Sequence, residues 1–222
     1  MQGRKAVTDS LSTFTPIAFV VDSGSDEFEF LAELGVAIYE ASQAEMQKIS
    51  TLENVPEIVG VFKIPEPATP AVKSDGDFYL ALDRVQDPGN LGTIIRAAHW
   101  FGVRRIFCSK DTADIYNPKV VQSTMGSLGR VEVIYCDLED LFKNNPKLPV
   151  YGLLLRGENI FNGKKREPGF ILMGSEGSGI SRELIPYITS PLTIPPANPE
   201  ERPESLNVAV ATAITLAELI KP

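Results

Sequence analysis

Histidine is almost missing from this chain: there is one in 222 residues, His99. A serine–histidine–acid triad or a multi-histidine metal centre has next to nothing to draw on. Cysteine is scarce too. Cys108 and Cys136 are the only two, too few for a disulfide framework or a zinc site. No apolar run approaches the roughly 18 residues that a membrane helix needs. The opening MQGRKAVTDSLSTF has no apolar core of the signal-peptide kind. The phosphate-loop, dinucleotide, H-E-x-x-H and G-x-S-x-G fingerprints are absent as well. These absences exclude a membrane span and point away from a metal centre, and they make the cytoplasm the expected setting.

An excess of positive charge is also lacking. The net charge is −8, which argues against loose, charge-driven binding of nucleic acid. The acidity is uneven, though. Residues 1–74 carry 5 Lys/Arg against 11 Asp/Glu, and residues 75–222 carry 16 against 18. The larger part is therefore nearly neutral, with local clusters at Arg104–Arg105 and Lys164–Arg166 that read as solvated face. At 43% hydrophobic and 23% charged, the chain is of globular composition and long enough for a real core.

Apolar patterning divides the chain in two. In residues 1–66, strands are expected at 16–22, 36–41 and 57–64, with short helices at 27–35 and 42–51, the second opened by a Ser42 cap. Three prolines then fall within IPEPATPAVKSDGD, so a linker is placed at 67–76. Residues 77–222 alternate strand and helix. Strands are expected at 78–85, 104–110, 131–136, 150–157, 168–173 and 192–195. Helices are expected at 90–103, 117–129, 137–145, 181–188 and 205–220. That alternation implies an α/β fold with a mostly parallel sheet.

Three loops follow strands: DPGNLG (87–92), GSEGSGIS (174–181) and PPANPEERPESLN (195–207). Ligands in an open parallel sheet sit beyond the carboxyl ends of its strands. DPGN, bracketed by Asp83, Arg84 and Arg96, reads as a loop built to hold something: it ends its strand, and Arg96 projects from the following helix. The glycines at 174, 177 and 179 fit no standard nucleotide pattern, and alone they serve equally well as a flexible turn. His99, on an apolar helix, reads as a packed or solvated residue.

Taken together, LDRVQDPGNLGTIIRAAHWFGV, ILMGSEGSGIS and IPPANPEERPESLNVAVATAI resemble the three ordered motifs of the SpoU branch of the SPOUT RNA methyltransferases. The likeness covers residues 78–220 closely. Residues 1–66 are similar to that family's small substrate-binding domain. The resemblance implies a C-terminal parallel-sheet domain with a deep trefoil knot, a homodimer, S-adenosylmethionine as donor, and a ribose 2′-hydroxyl of tRNA or rRNA as acceptor, with no metal. By motif position, Gly174, Ile194 and Leu206 would contact the donor, largely through backbone groups. Asn90, Arg96, Glu176, Ser205 and Asn207 match the family's polar active-site positions. The third motif departs from the pattern: its loop is longer and carries Glu200, Glu201 and Glu204. A non-catalytic RNA- or ribosome-binding protein of the same fold is the alternative, and an α/β enzyme using a different nucleotide is a third reading.

Overall fold

The structure is a computed structural model that describes residues 1–72, 76–198, 200–201 and 203–220. It contains two sheets. The smaller has the order β2-β1-β3, built from β1 (Pro16–Asp22), β2 (Ala37–Ala41) and β3 (Ile58–Phe62). Strand β2 runs parallel to β1, and β3 runs antiparallel to it. Helices α1 (Arg4–Ser10), α2 (Glu27–Ala32) and α3 (Gln43–Ile49) accompany these strands. Val7, Phe19, Val21, Leu31 and Ile58 form the core of this part. Helix α3 opens with a Ser42–Glu45 capping box, which satisfies two of its first-turn donors.

The larger sheet has the order β6-β5-β4-β8-β7-β9, and every recorded pairing in it is parallel. Its strands are β4 (Tyr79–Leu82), β5 (Arg105–Cys108), β6 (Glu132–Tyr135), β7 (Val150–Asn159), β8 (Phe170–Met173) and β9 (Ser190–Thr193). Strands β4, β5 and β8 read YLAL, RIFC and FILM, and every residue in them is buried. Such near-continuous apolar runs mark strands covered on both faces. Side chains alternate, so Leu80, Leu82, Ile106, Cys108, Ile171 and Met173 share one face. They meet helices α4 (Pro88–Trp100), α5 (Pro118–Ser123) and α7 (Val208–Leu219). Tyr79, Phe107, Phe170 and Leu172 take the other face, against α6 (Leu138–Asn144). There the Phe170 ring lies 5.2 Å from that of Phe142 and 5.6 Å from that of Tyr79. Each such buried ring contributes roughly 2–3 kcal/mol by area.

Several expectations need correction. DPGN is not a loop. Asp87 caps α4 and Pro88 is its first residue, so the polar stretch forms the first helical turn. Proline is well suited there, because its missing N–H would have no intrahelical partner. The helix expected at 181–188 shrinks to a 3-10 turn at Ile185–Tyr187, since Pro186 cannot donate within a longer helix. Helix α5 stops at Ser123, and Met125 and Gly126 follow at φ 49° and 86°. Helix α1 escaped the apolar pattern, because it buries only Val7 and Ser10.

Arg105 is not on a solvated face. It is 5% exposed and pairs with Glu132 at 2.5 Å, and its guanidinium also donates to the Ala71 carbonyl. That bond holds the Pro-rich segment against the larger sheet, where Ala68 and Val72 also pack. Residues 73–75 of the expected linker lie outside the described residues. Lys164 and Arg166 both pair with Glu158 near the end of β7, the latter at 2.7 Å. Both cysteines are free and buried, and burial pushes the Cys136 thiol up to about 11 and that of Cys108 higher still.

Candidate active site

Strands β4 and β8 are neighbours, so the loops at their carboxyl ends emerge side by side. The first becomes the opening turn of α4. The Asp87 carboxylate accepts from the Asn90 backbone N–H at 2.8 Å, which fixes where the Asn90 side chain starts. Helix α7 begins beside it in the same way: Asn207 caps the helix, its Oδ1 accepting from Ala209 at 3.0 Å and Val210 at 3.2 Å.

These caps set up a directional relay. With its Oδ1 committed to the helix, Asn207 turns its Nδ2 toward Asn90 and donates to the Asn90 Oδ1 at 2.9 Å. Asn90 then has only its Nδ2 left to offer, and that group donates to the Glu176 Oε1. An amide has one acceptor end and one donor end, so the cap at 207 determines the orientation of both side chains. Residues from all three motifs, 117 positions apart at the extreme, therefore share one hydrogen-bonded cluster. Oε2 of Glu176 has no partner among the described residues.

The loop carrying Glu176 is held at both ends. Ser175 and Gly179 exchange backbone hydrogen bonds of 2.9 and 3.2 Å across the turn, with Gly179 at φ 65°. At Gly174 a side chain would run into the Gly179 and Ile180 backbone, so the loop can fold back there only on glycine. The far end is tied by Asp83, which is 2% exposed. Its Oδ2 accepts from the backbone N–H and the hydroxyl of Ser181, both at 2.6 Å. Motif position does not single out Asp83. The available signal was a carboxylate straight after an apolar strand, with a hydroxyl residue closing the glycine-rich loop.

Other expected residues stand apart. Arg96 is exposed and has no hydrogen bond or ion pair among the described residues. Six helical residues separate it from Asn90, which puts the two about 120° apart around the axis and about 9 Å apart along it. Asn90 makes no hydrogen bond to Arg96. Ser205 is exposed and makes no hydrogen bond among the described residues, Leu206 is 44% exposed, and Ile194 is half-buried. His99 meets the Ser127 hydroxyl at 3.1 Å, away from the cluster. No group of three or more His, Cys, Asp or Glu residues that could hold a metal ion occurs among the described residues.

An all-parallel sheet with a polar cluster at its carboxyl edge, fed by three ordered motifs, defines a methyltransferase-type α/β domain of the SPOUT class. Residues 77–217 match the SpoU rRNA Methylase family, and the chain belongs to that family. A relative from Bacillus subtilis, the 23S rRNA (guanosine(2553)-2′-O)-methyltransferase RlmP, is 31% identical over 192 residues, which is 84% of this chain and 74% of the relative. An uncharacterized tRNA/rRNA methyltransferase of Synechocystis is 35% identical over 145 residues, 63% of this chain, and this match spans about half (51%) of the Synechocystis protein. The AdoMet-bound rRNA methyltransferase of Sinorhizobium meliloti superimposes with a TM-score of 0.85 at 30% identity, covering 98% of this chain and 85% of that one.

Proposed function

We propose that this protein uses S-adenosylmethionine to methylate a ribose 2′-hydroxyl of RNA, with rRNA favoured over tRNA by the names of its relatives. The observation that carries the reading is the Asn207–Asn90–Glu176 relay, which joins the three motifs. The donor fits what surrounds it. Leu206 and Ile194 leave apolar surface open on one loop, and Gly174 allows the other loop to approach closely, so their backbones can grip a flat purine.

The bound donor supplies an electrophilic methyl group. The chain must hold the acceptor oxygen about 3–3.5 Å from it, in line. Glu176, steadied through Oε1, keeps Oε2 to accept from the acceptor hydroxyl or its neighbour. Arg96 carries a guanidinium, which has five N–H donors and no acceptor, and so is no base. Its role is to hold an adjacent phosphate and stabilise the developing alkoxide. Ser205 adds an exposed hydroxyl two residues before Asn207.

Residues 1–66 serve as the substrate-binding domain, 67–76 as the linker and 77–222 as the knotted catalytic domain. No described helix is long and apolar enough to cross a membrane, and a cytoplasmic setting suits action on RNA. Two copies pair through α4 and α7. In the test, labelled S-adenosylmethionine is incubated with unmodified rRNA and tRNA, using Arg96→Ala as control. Label on a ribose 2′-oxygen that is lost in the variant supports the proposal. Donor binding without transfer to either RNA would favour the non-catalytic reading.

A further inference from the structure

Arg84 is held in a conformation that arginine rarely adopts. Its φ is 56°, in the left-handed region, and Met125 is the only other described non-glycine residue there. Backbone strain of this kind persists where the surroundings enforce it, and it concentrates at functional sites. Here the enforcing contacts are visible. The Arg84 N–H donates to the Ser109 hydroxyl at 2.8 Å, and its Nε reaches the Asp83 Oδ1 at 3.3 Å. The side chain remains 33% exposed, while that of Asp83 is 3% exposed. Glycine or asparagine would occupy this position with less strain.

The same contacts bring two further cations alongside. Lys110 follows Ser109, which holds the Arg84 amide. Arg182 follows Ser181, which is bonded to Asp83. Both are exposed and have no hydrogen bond or ion pair among the described residues. In a chain of net charge −8, the three segments that carry these cations are thus tied together at the carboxyl edge of the sheet. They sit at the end of the loop opposite Glu176.

We propose that Arg84, flanked by Lys110 and Arg182, is a phosphate-binding site for the backbone of the RNA substrate. The inference rests on the RNA methyltransferase reading and adds to it a site outside the three-motif cluster. Guanidinium and phosphate match as a two-pronged, charge-assisted pair.

The test compares wild type with Arg84→Gly and Arg84→Lys. It reads binding to an in vitro transcribed 23S rRNA at several salt concentrations, calorimetric affinity for S-adenosylmethionine, and Tm. We expect Arg84→Gly to bind the RNA on the order of tenfold more weakly at low salt, the loss of one charge-assisted contact. Its salt slope should fall by about 0.7–0.9, one phosphate contact. Arg84→Lys should restore the slope, with donor affinity unchanged and no loss of Tm in either variant. An unchanged slope would overturn the site. So would a drop in donor affinity or Tm, because Arg84 would then act through Asp83 on the loop. Wild-type protein without affinity for the RNA would instead sink the RNA reading itself, and this inference with it.

Discussion

At the scale of single residues, Asn207 has two jobs that chemistry can separate. Its Oδ1 caps α7, and its Nδ2 starts the relay through Asn90 to Glu176. Asn207→Asp keeps an acceptor for the cap and removes the donor. Asn207→Ala removes both. Loss of a cap costs about 0.5–2 kcal/mol. We therefore expect the aspartate variant to melt within a degree or two of wild type and yet lose most methyl transfer. The alanine variant should lose both stability and activity. Equal activity in wild type and Asn207→Asp would show that the relay is not needed for transfer. The relay itself was only half legible in the sequence. Its members stood out by motif position, but an amide's orientation depends on which backbone N–H groups it caps, and motif spacing does not report that.

At the scale of elements, the site depends on how closely α4 approaches α5. Gly92 sits at the crossing. A Cβ there would lie 2.5 Å from the Ser123 Cβ and 2.7 Å from the Val120 carbonyl oxygen. Both are fixed parts of a helix, so α4 would have to move away, carrying Asn90 with it. Overpacking of this kind costs about 1–3 kcal/mol. Gly92→Ala should lower the urea midpoint accordingly and reduce methyl transfer beyond the loss of folded protein. A variant with wild-type midpoint and rate would show that the helices can separate freely. The buried strands were the easiest elements to read, because YLAL, RIFC and FILM are apolar on both faces. Helix starts and stops were harder. DPGN has the composition of a loop, and only the Asp87 cap and the tolerance of a first turn for proline make it helical. Arg105 misled for a similar reason. Its burial follows from the position of β5 inside the sheet and from Glu132 on the neighbouring strand, neither of which is local in sequence.

At the scale of the whole molecule, the chain carries one tryptophan, Trp100, and it is 84% exposed. It lies one helical turn from Arg96 on the outward stripe of α4. Helices α4 and α7 pack together, and Leu206 and Val210, near the start of α7, are 44% and 49% exposed. An exposed indole and uncovered aliphatic side chains on one packed pair of helices are the usual composition of a protein interface rather than of a free monomer surface. Pairing of two copies through these helices would cover it and bring Arg96 to the edge of the interface. This makes the indole a built-in reporter. We expect light scattering to give twice the monomer mass, with tryptophan emission shifted to the blue of a fully solvated indole. Val210→Arg should halve the mass and shift the emission to the red, with little change in helix content. Monomer mass and solvated-indole emission in the wild-type protein would overturn the pairing. If the variant becomes monomeric and also loses methyl transfer while still binding the donor, then the catalytic unit is the pair, and the distance between Arg96 and the Asn90 cluster within one chain is bridged across the interface.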